Sequence, residues 1–241
     1  MTTHRHQGVR ATTSVRVPVG QQWLDGDLGS PVEPHGLILF AHGSGSSRHS
    51  PRNQYVARAL EQSGFATLLI DLLTEDEEAI DDRTAHLRFD IEMLAGRLVA
   101  IVDWLRRVRD TASLPIGLFG ASTGGGAALV AAAARPHEIV AVVSRGGRPD
   151  LAGSALTDVT TPTLLIVGGL DTPVIQMNRE AMAQMPGEVV LDIVPGATHL
   201  FEEPGALERV STLAGNWFSR YLEPAYEAGP ADASSLRSRP A

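Results

Sequence analysis

Apolar residues along this chain gather in short runs, and stretches of helical periodicity separate the runs. GLILFAHG (36–43), ATLLIDLL (66–73), LPIGLFG (114–120), EIVAVVS (138–144), PTLLIVGG (162–169) and EVVLDIV (188–194) are all of strand length. Runs that are apolar at consecutive positions suit strands buried on both faces, as in a parallel sheet. TSVRVPV (13–19) alternates instead, like a half-buried strand. Residues 20–35 hold Gly, Asp and Pro and read as the connection of a hairpin.

Helical patterns lie between the runs at 53–63, 91–108, 122–134, 176–185 and 205–222. In the second of these, Ile91, Leu94, Leu98, Ile101, Val102, Leu105 and Val108 share one face at three- and four-residue spacing. Strands alternating with helices predict an α/β protein with a mostly parallel, doubly wound sheet flanked by helices. The pattern runs unbroken over 12–223 as one domain. Residues 1–11 are polar and 224–241 are rich in Pro, Ala and Ser, so both ends are expected to be flexible.

Composition narrows the chemistry. There is no cysteine among the 241 residues, which removes disulfides, thiolate metal sites and a cysteine nucleophile. There is no lysine either, so Schiff-base catalysis is excluded. A formal net charge of −8 without a basic cluster argues against a nucleic-acid partner. The apolar runs are too short to span a bilayer, and the first residues lack an apolar signal core. A cytoplasmic protein is expected, as monomer or homodimer.

One stretch carries a reactive pattern. In GLFGASTGGGAAL (117–129), Gly120-Ala121-Ser122-Thr123-Gly124 is a G-x-S-x-G match between a buried strand and a helix. A sharp strand-to-helix turn strains the serine and lifts its hydroxyl above the sheet. The simpler reading is a Gly-rich turn with a capping serine. A nucleophile needs a base, and the base needs an orienting acid. His199, in VPGATHLF, follows the last strand and falls at the carboxyl edge where open α/β sheets bind ligands. His137 precedes a strand and falls at the opposite edge. Asp171 follows TLLIVGG at the same edge as His199, where it also suits a helix N-cap. Asp158 lies before that strand, and Asp192 lies inside the last one.

AHGSGSS (41–47) follows another buried strand. Its amides are expected to form an oxyanion hole with the N–H of Thr123, by way of Ser44 or alternatively Gly45. His42 is expected to brace this loop. The loop lacks the G-K-[ST] ending of a phosphate cradle.

These segments together resemble the α/β-hydrolase superfamily, over about residues 13–222. They are most similar to its dienelactone hydrolase-like group. The resemblance implies a Ser122–His199–Asp171 triad acting on esters without metal or organic cofactor. Dienelactone hydrolase itself uses cysteine where this chain has Ser122, so dienelactone chemistry proper is not implied. Similar segments also occur fused to phosphoribosyltransferase domains.

The reading is a serine hydrolase that cleaves carboxylic esters of small acyl groups. Segment 145–161 is too short for a cap domain, and an open site follows. An acyltransferase or thioesterase would use the same triad, and a non-catalytic hydrolase-fold binding protein would not need it. Arg145 should emerge beside the Ser122 strand, to bind a substrate carboxylate or to join a loop salt bridge with Asp150 or an acid of 75–82. That run, EDEEAIDD, has six acids in eight residues. It reads as a solvated loop leading into a helix N-terminus, or as an acidic lid. Glu202 and Glu203 are candidates to cap the last helix or fix the His199 loop.

Overall fold

Five parallel strands make the centre of the sheet: β3 (Leu37–Ala41), β4 (Ala66–Ile70), β5 (Ile116–Ala121), β6 (Ile139–Arg145) and β7 (Thr163–Gly168). β8 (Val189–Val194) joins one edge in parallel. β1 (Thr13–Val19) and β2 (Gln22–Gly29) form an antiparallel hairpin at the other. The order across the sheet is β1-β2-β4-β3-β5-β6-β7-β8. This is a computed structural model, and it describes residues 12–223. The two ends expected to be flexible fall outside that range.

Period-two alternation divides the core. Leu37, Leu39 and Ala41 of β3 face one cluster, packed by α3 (Ile91–Leu105) and α4 (Thr123–Ala134). Ile38 and Phe40 face the other, packed by α1 (Pro51–Gln62) and α6 (Ala206–Leu222). Phe40 and Phe119 meet in the second cluster with ring centroids 4.9 Å apart. Both rings are buried, and truncating either to alanine should cost about 3–5 kcal/mol. Helices on both faces leave the strand ends as the place where polar loops converge.

The structure departs from expectation in the 20–35 connection. Gln22–Gly29 is a full strand, paired with β1 from Thr13↔Leu28 to Val19↔Gln22 and with β4 beyond it. Leu24 is buried while Asp25 is exposed, so period two is present. Asp25, Gly26 and Asp27 disguised it as a turn.

The acidic run also differs. It forms its own helix, α2 (Glu75–Thr84). Thr74 starts it with a reciprocal cap: the Glu77 N–H donates to Thr74 Oγ1 (3.3 Å), and the Thr74 N–H donates to Glu77 Oε2 (2.8 Å). Four acids in the first turn favour the helix dipole. Arg97 of α3 then anchors α2, donating to both Glu77 oxygens at 2.5 and 2.7 Å. α5 (Thr172–Met182) begins earlier than its apolar pattern, because Pro173 is suited to a first helical turn. Residues Pro149–Asp158 form a short 3₁₀ segment, and among the described residues no large cap covers the sheet.

Candidate active site

Ser122 sits between β5 and α4 with φ +51° and ψ −122°. A non-glycine residue at positive φ is strained by roughly 1–3 kcal/mol. Its neighbours hold it there. The Ser122 N–H donates to the Arg145 carbonyl (3.2 Å), and the Ser122 carbonyl accepts from the Arg148 N–H (3.0 Å). The turn is tight enough to demand glycine. A Cβ on Gly120 would lie 2.6 Å from the Gly124 carbonyl oxygen, and one on Gly124 would lie 2.6 Å from that of His42. The Ser122 side chain caps nothing, which sets aside the capping-serine reading.

Asp171 and His199 meet. Asp171 stands just past β7 at the N-cap position of α5, yet its carboxylate makes no capping bond. Its Oδ2 lies 2.6 Å from His199 Nδ1 instead. The other candidates lie elsewhere: Asp192 faces Arg209 (3.4 Å), and His137 precedes β6 at the far edge. The histidine loop is fixed on both sides. Thr198 Oγ1 donates to Glu203 Oε1 (2.6 Å), which holds the Glu203 carboxyl below its usual range. Arg52 pairs with Glu202 (3.1 Å). Ser122 and His199 line one cavity of about 260 Å³. No hydrogen bond within 3.5 Å joins them, a gap that apo sites often close on binding substrate.

The loop after β3 forms the roof. His42 is buried and braces it. Its Nε2 accepts from the Leu72 N–H (2.9 Å), and its Nδ1 lies 3.0 Å from the Gly43 carbonyl. Burial pushes the imidazole below its ordinary pKa, against the opposing pull of the Gly43 carbonyl and of Asp71. The Ser44 N–H donates to Thr123 Oγ1 at 2.9 Å. Ser44, the first choice from sequence for a loop donor, therefore has its amide occupied. Among the described residues, the N–H groups of Gly45 and Thr123 have no partner.

Arg145 ends β6 inside the Ser122 cavity. The expected salt bridge is absent. Asp150 pairs with Arg148 (2.7 Å), and of the α2 acids Asp81 and Asp82 pair with Arg88 and Glu77 with Arg97. Arg145 is 7% exposed and, among the described residues, donates only to Asn53 Oδ1 (3.3 Å). Its Nε and Nη1 have no acceptor among the described residues, and its guanidinium lies 5.9 Å from the centre of the Phe201 ring. Burial, and then the charge of Arg52, lower its pKa to about 10, so it stays cationic at neutral pH. An unpaired buried charge is costly, and such a group wants an anion.

A second cavity, of about 210 Å³, lies across the same loop. Gly43, Ser44 and Ser46 border both. Leu72, Leu73 and Leu94 supply its apolar wall, and Glu78, Asp81, Asp82 and Arg88 its polar one. The acidic excursion thus sits beside the site. Among the described residues, no group of three or more His, Asp or Glu is placed to hold a metal ion.

Residues 24–224 match the dienelactone hydrolase family. The chain belongs to that family. A dienelactone hydrolase of Anabaena variabilis is 62% identical, with a TM-score of 0.87 over 88% of this chain and 99% of its own. Est1E of Butyrivibrio proteoclasticus shares the α/β-hydrolase fold at 18% identity and a TM-score of 0.72, over 86% of this chain and 98% of its own. A Mycobacterium tuberculosis protein provisionally named a phosphoribosyl transferase is 58% identical over 208 residues, 86% of this chain and 46% of its own length. The chain thus spans about half of that relative.

For this member of the dienelactone hydrolase family, sequence reasoning missed Arg52 and Asn53. Both line the Ser122 cavity from the start of α1. Ser50 caps that helix, accepting from the Asn53 N–H at 3.4 Å, and Pro51 follows it. The tetrapeptide SPRN, directly after the loop AHGSGSSRH, held the signal. It marks a helix whose first turn must open at the carboxyl edge of β3.

Proposed function

We propose that the protein is a serine hydrolase of carboxylic esters with small acyl groups. The observation that carries this reading is the 2.6 Å Asp171–His199 contact beside a strained Ser122 in one cavity. In the proposed reaction, Ser122 Oγ attacks the ester carbonyl and His199 Nε2 takes the hydroxyl proton. Asp171 holds the imidazole tautomer and stabilises the imidazolium. The N–H groups of Thr123 and Gly45 receive the oxyanion, with Gly45 in place of Ser44. Collapse breaks the ester C–O bond, and His199 protonates the departing alcohol. Water then attacks the acyl-serine with His199 as base, releasing the acid and Ser122. Arg145 is the group offered to a substrate carboxylate.

The chain's membership of a hydrolase family supports this reading. Transfer to an acceptor other than water, or a thioester substrate, would use the same groups. The His199 side chain is 40% exposed, so water reaches it, and that favours hydrolysis. A binding protein without catalysis would have no use for the strain at Ser122. The transferase name of the longer relative is not carried over, since the chain covers about half of it.

The test is a 4-nitrophenyl ester series from C2 to C12, with the wild type and Ser122→Ala, alongside fluorophosphonate labelling. Short esters should be cleaved, and label and turnover should vanish together in Ser122→Ala. A wild type inert on every ester and unlabelled would overturn the reading.

A further inference from the structure

The turn 146–148, directly after β6, touches both Ser122 and His199. The Arg148 N–H donates to the Ser122 carbonyl (3.0 Å), and the Gly146 N–H donates to the Ile166 carbonyl of β7 (2.7 Å). A Cβ on Gly146 would lie 3.5 Å from His199 Nδ1, so this glycine packs against the imidazole. A Cβ on Gly125 would lie 3.0 Å from Gly147 Cα, so the turn also rests on the start of α4. A shift of 146–148 would therefore move the backbone of Ser122 and the surface behind His199 together.

The turn has little of its own to hold it. Two of its residues are glycines, and the Arg148 side chain is engaged with Asp150. The hold comes from α5. Asn178 Nδ2 donates to the Gly147 carbonyl (3.0 Å) and to the Val174 carbonyl (2.8 Å). Among the described residues, Asn178 is the one side chain bonded to the backbone of 146–148. Both of its partners are acceptors, so the amide nitrogen must face them. Helix stability does not call for asparagine here. Asn178 is fully buried beside Val174, Ile175 and Ala181, in the interior of a helix that asparagine favours little. Its Oδ1 has no partner among the described residues, and a buried orphaned acceptor is costly. The same helix begins at Asp171, about two turns before Asn178. One helix thus places the acid at its start and, through Asn178, the turn that lies between nucleophile and base.

We propose that Asn178 is a positioning residue: through the Gly147 carbonyl it fixes the 146–148 turn, and the turn sets Ser122 against His199. This rests on the serine-hydrolase reading above. Ser122 Oγ and the imidazole must come within hydrogen-bond reach for the proton to pass. A turn pinned by Asn178 keeps that approach short. Asn178 does not line the Ser122 cavity, so its loss should slow the chemistry and leave substrate binding in place.

The experiment measures kcat and KM on 4-nitrophenyl acetate, the rate of fluorophosphonate labelling and the urea midpoint. It compares the wild type with Asn178→Leu, Asn178→Ala and Asp150→Asn. Leucine keeps the bulk without the donor, and alanine is a second variant that cannot overpack the site. In both, kcat should fall by roughly tenfold to a hundredfold, labelling should slow in step, and KM should stay near the wild-type value. Asp150→Asn breaks the Arg148–Asp150 pair on the adjoining segment, and kcat should stay near that of the wild type. A folded Asn178→Leu or Asn178→Ala with wild-type kcat would overturn this proposal alone and leave Asn178 a purely structural residue. An equal fall in Asp150→Asn would also overturn it, since any loosening near the turn would then suffice. A wild type that neither cleaves the ester nor takes the label would overturn the serine-hydrolase reading and this proposal with it.

Discussion

The Ser44 N–H donates to the hydroxyl of Thr123, the residue immediately after the nucleophile candidate. This one bond ties the loop after β3 to the start of α4. Thr123 thus has two separable parts: a backbone N–H without a partner, and a side chain that sets the loop position. Thr123→Val keeps the first and removes the second. A lost hydrogen bond of this kind is worth about 1 kcal/mol, or roughly fivefold to tenfold in rate if it positions the oxyanion donors. We expect kcat on 4-nitrophenyl acetate to fall by that factor with little change in KM, and Thr123→Ser to restore it. A rise in kcat would show instead that the freed Ser44 amide is the better donor.

Ser122 trades stability for its position. At φ +51° a side chain is strained, and glycine is not. Ser122→Gly should remove roughly 1–3 kcal/mol of strain while losing about 0.5–1 kcal/mol to the greater freedom of the unfolded chain. The expected outcome is a variant more stable by about 1 kcal/mol and without turnover. Urea unfolding of wild type and variant, at equal m-value, checks it. A destabilised variant would show that the serine side chain stabilises the turn.

Much of this site was legible because its residues follow buried strands. Ser122, Asp171 and His199 each lie within five residues of the end of a run whose apolar pattern fixes its place and direction in the sheet. The β2 strand was not legible, because Asp25, Gly26 and Asp27 carry turn chemistry while alternation survives only weakly around Leu24. Burial of Arg145 was hidden for another reason. Its environment is assembled from Asn53, Phe201 and Arg52, which are distant in sequence, and arginine is rarely buried without a carboxylate. Likewise position along the loop favoured Ser44 over Gly45, and the bond that occupies the Ser44 amide was not legible. Only the Thr123 side chain, reaching from another element, separates them.

Asp171 makes a prediction distinct from that of Ser122. In the proposed mechanism its carboxylate, 2.6 Å from Nδ1, fixes which nitrogen of His199 carries the proton. Asp171→Asn leaves the shape of the site but favours the wrong tautomer, and kcat should fall by roughly 10⁴-fold. KM should move far less, since Asp171 does not line the cavity. A loss below about tenfold would mean that another group orients the imidazole. Steady-state kinetics at pH 8 would decide.

Glu77 gives the clearest dependence on acid. Burial pushes its carboxyl up, but Arg97, the Thr74 N–H and Gln22 outweigh that and bring it down to about 2 from an ordinary 4.5. A carboxyl depressed in the folded state adds stability that is complete above 4.5 and lost as pH falls towards 2. Glu77→Gln removes the charge and leaves Arg97 with its bonds to the Leu72 carbonyl and to Gln22 Oε1 (2.8 Å). We expect a loss of roughly 2 kcal/mol at pH 7, the scale of hydrogen bonds to a charged group. The difference from wild type should shrink steadily between pH 4.5 and 2. Urea titrations across that range measure it. A difference that stayed constant with pH would assign the effect to packing at the start of α2, and not to the Glu77–Arg97 charge pair.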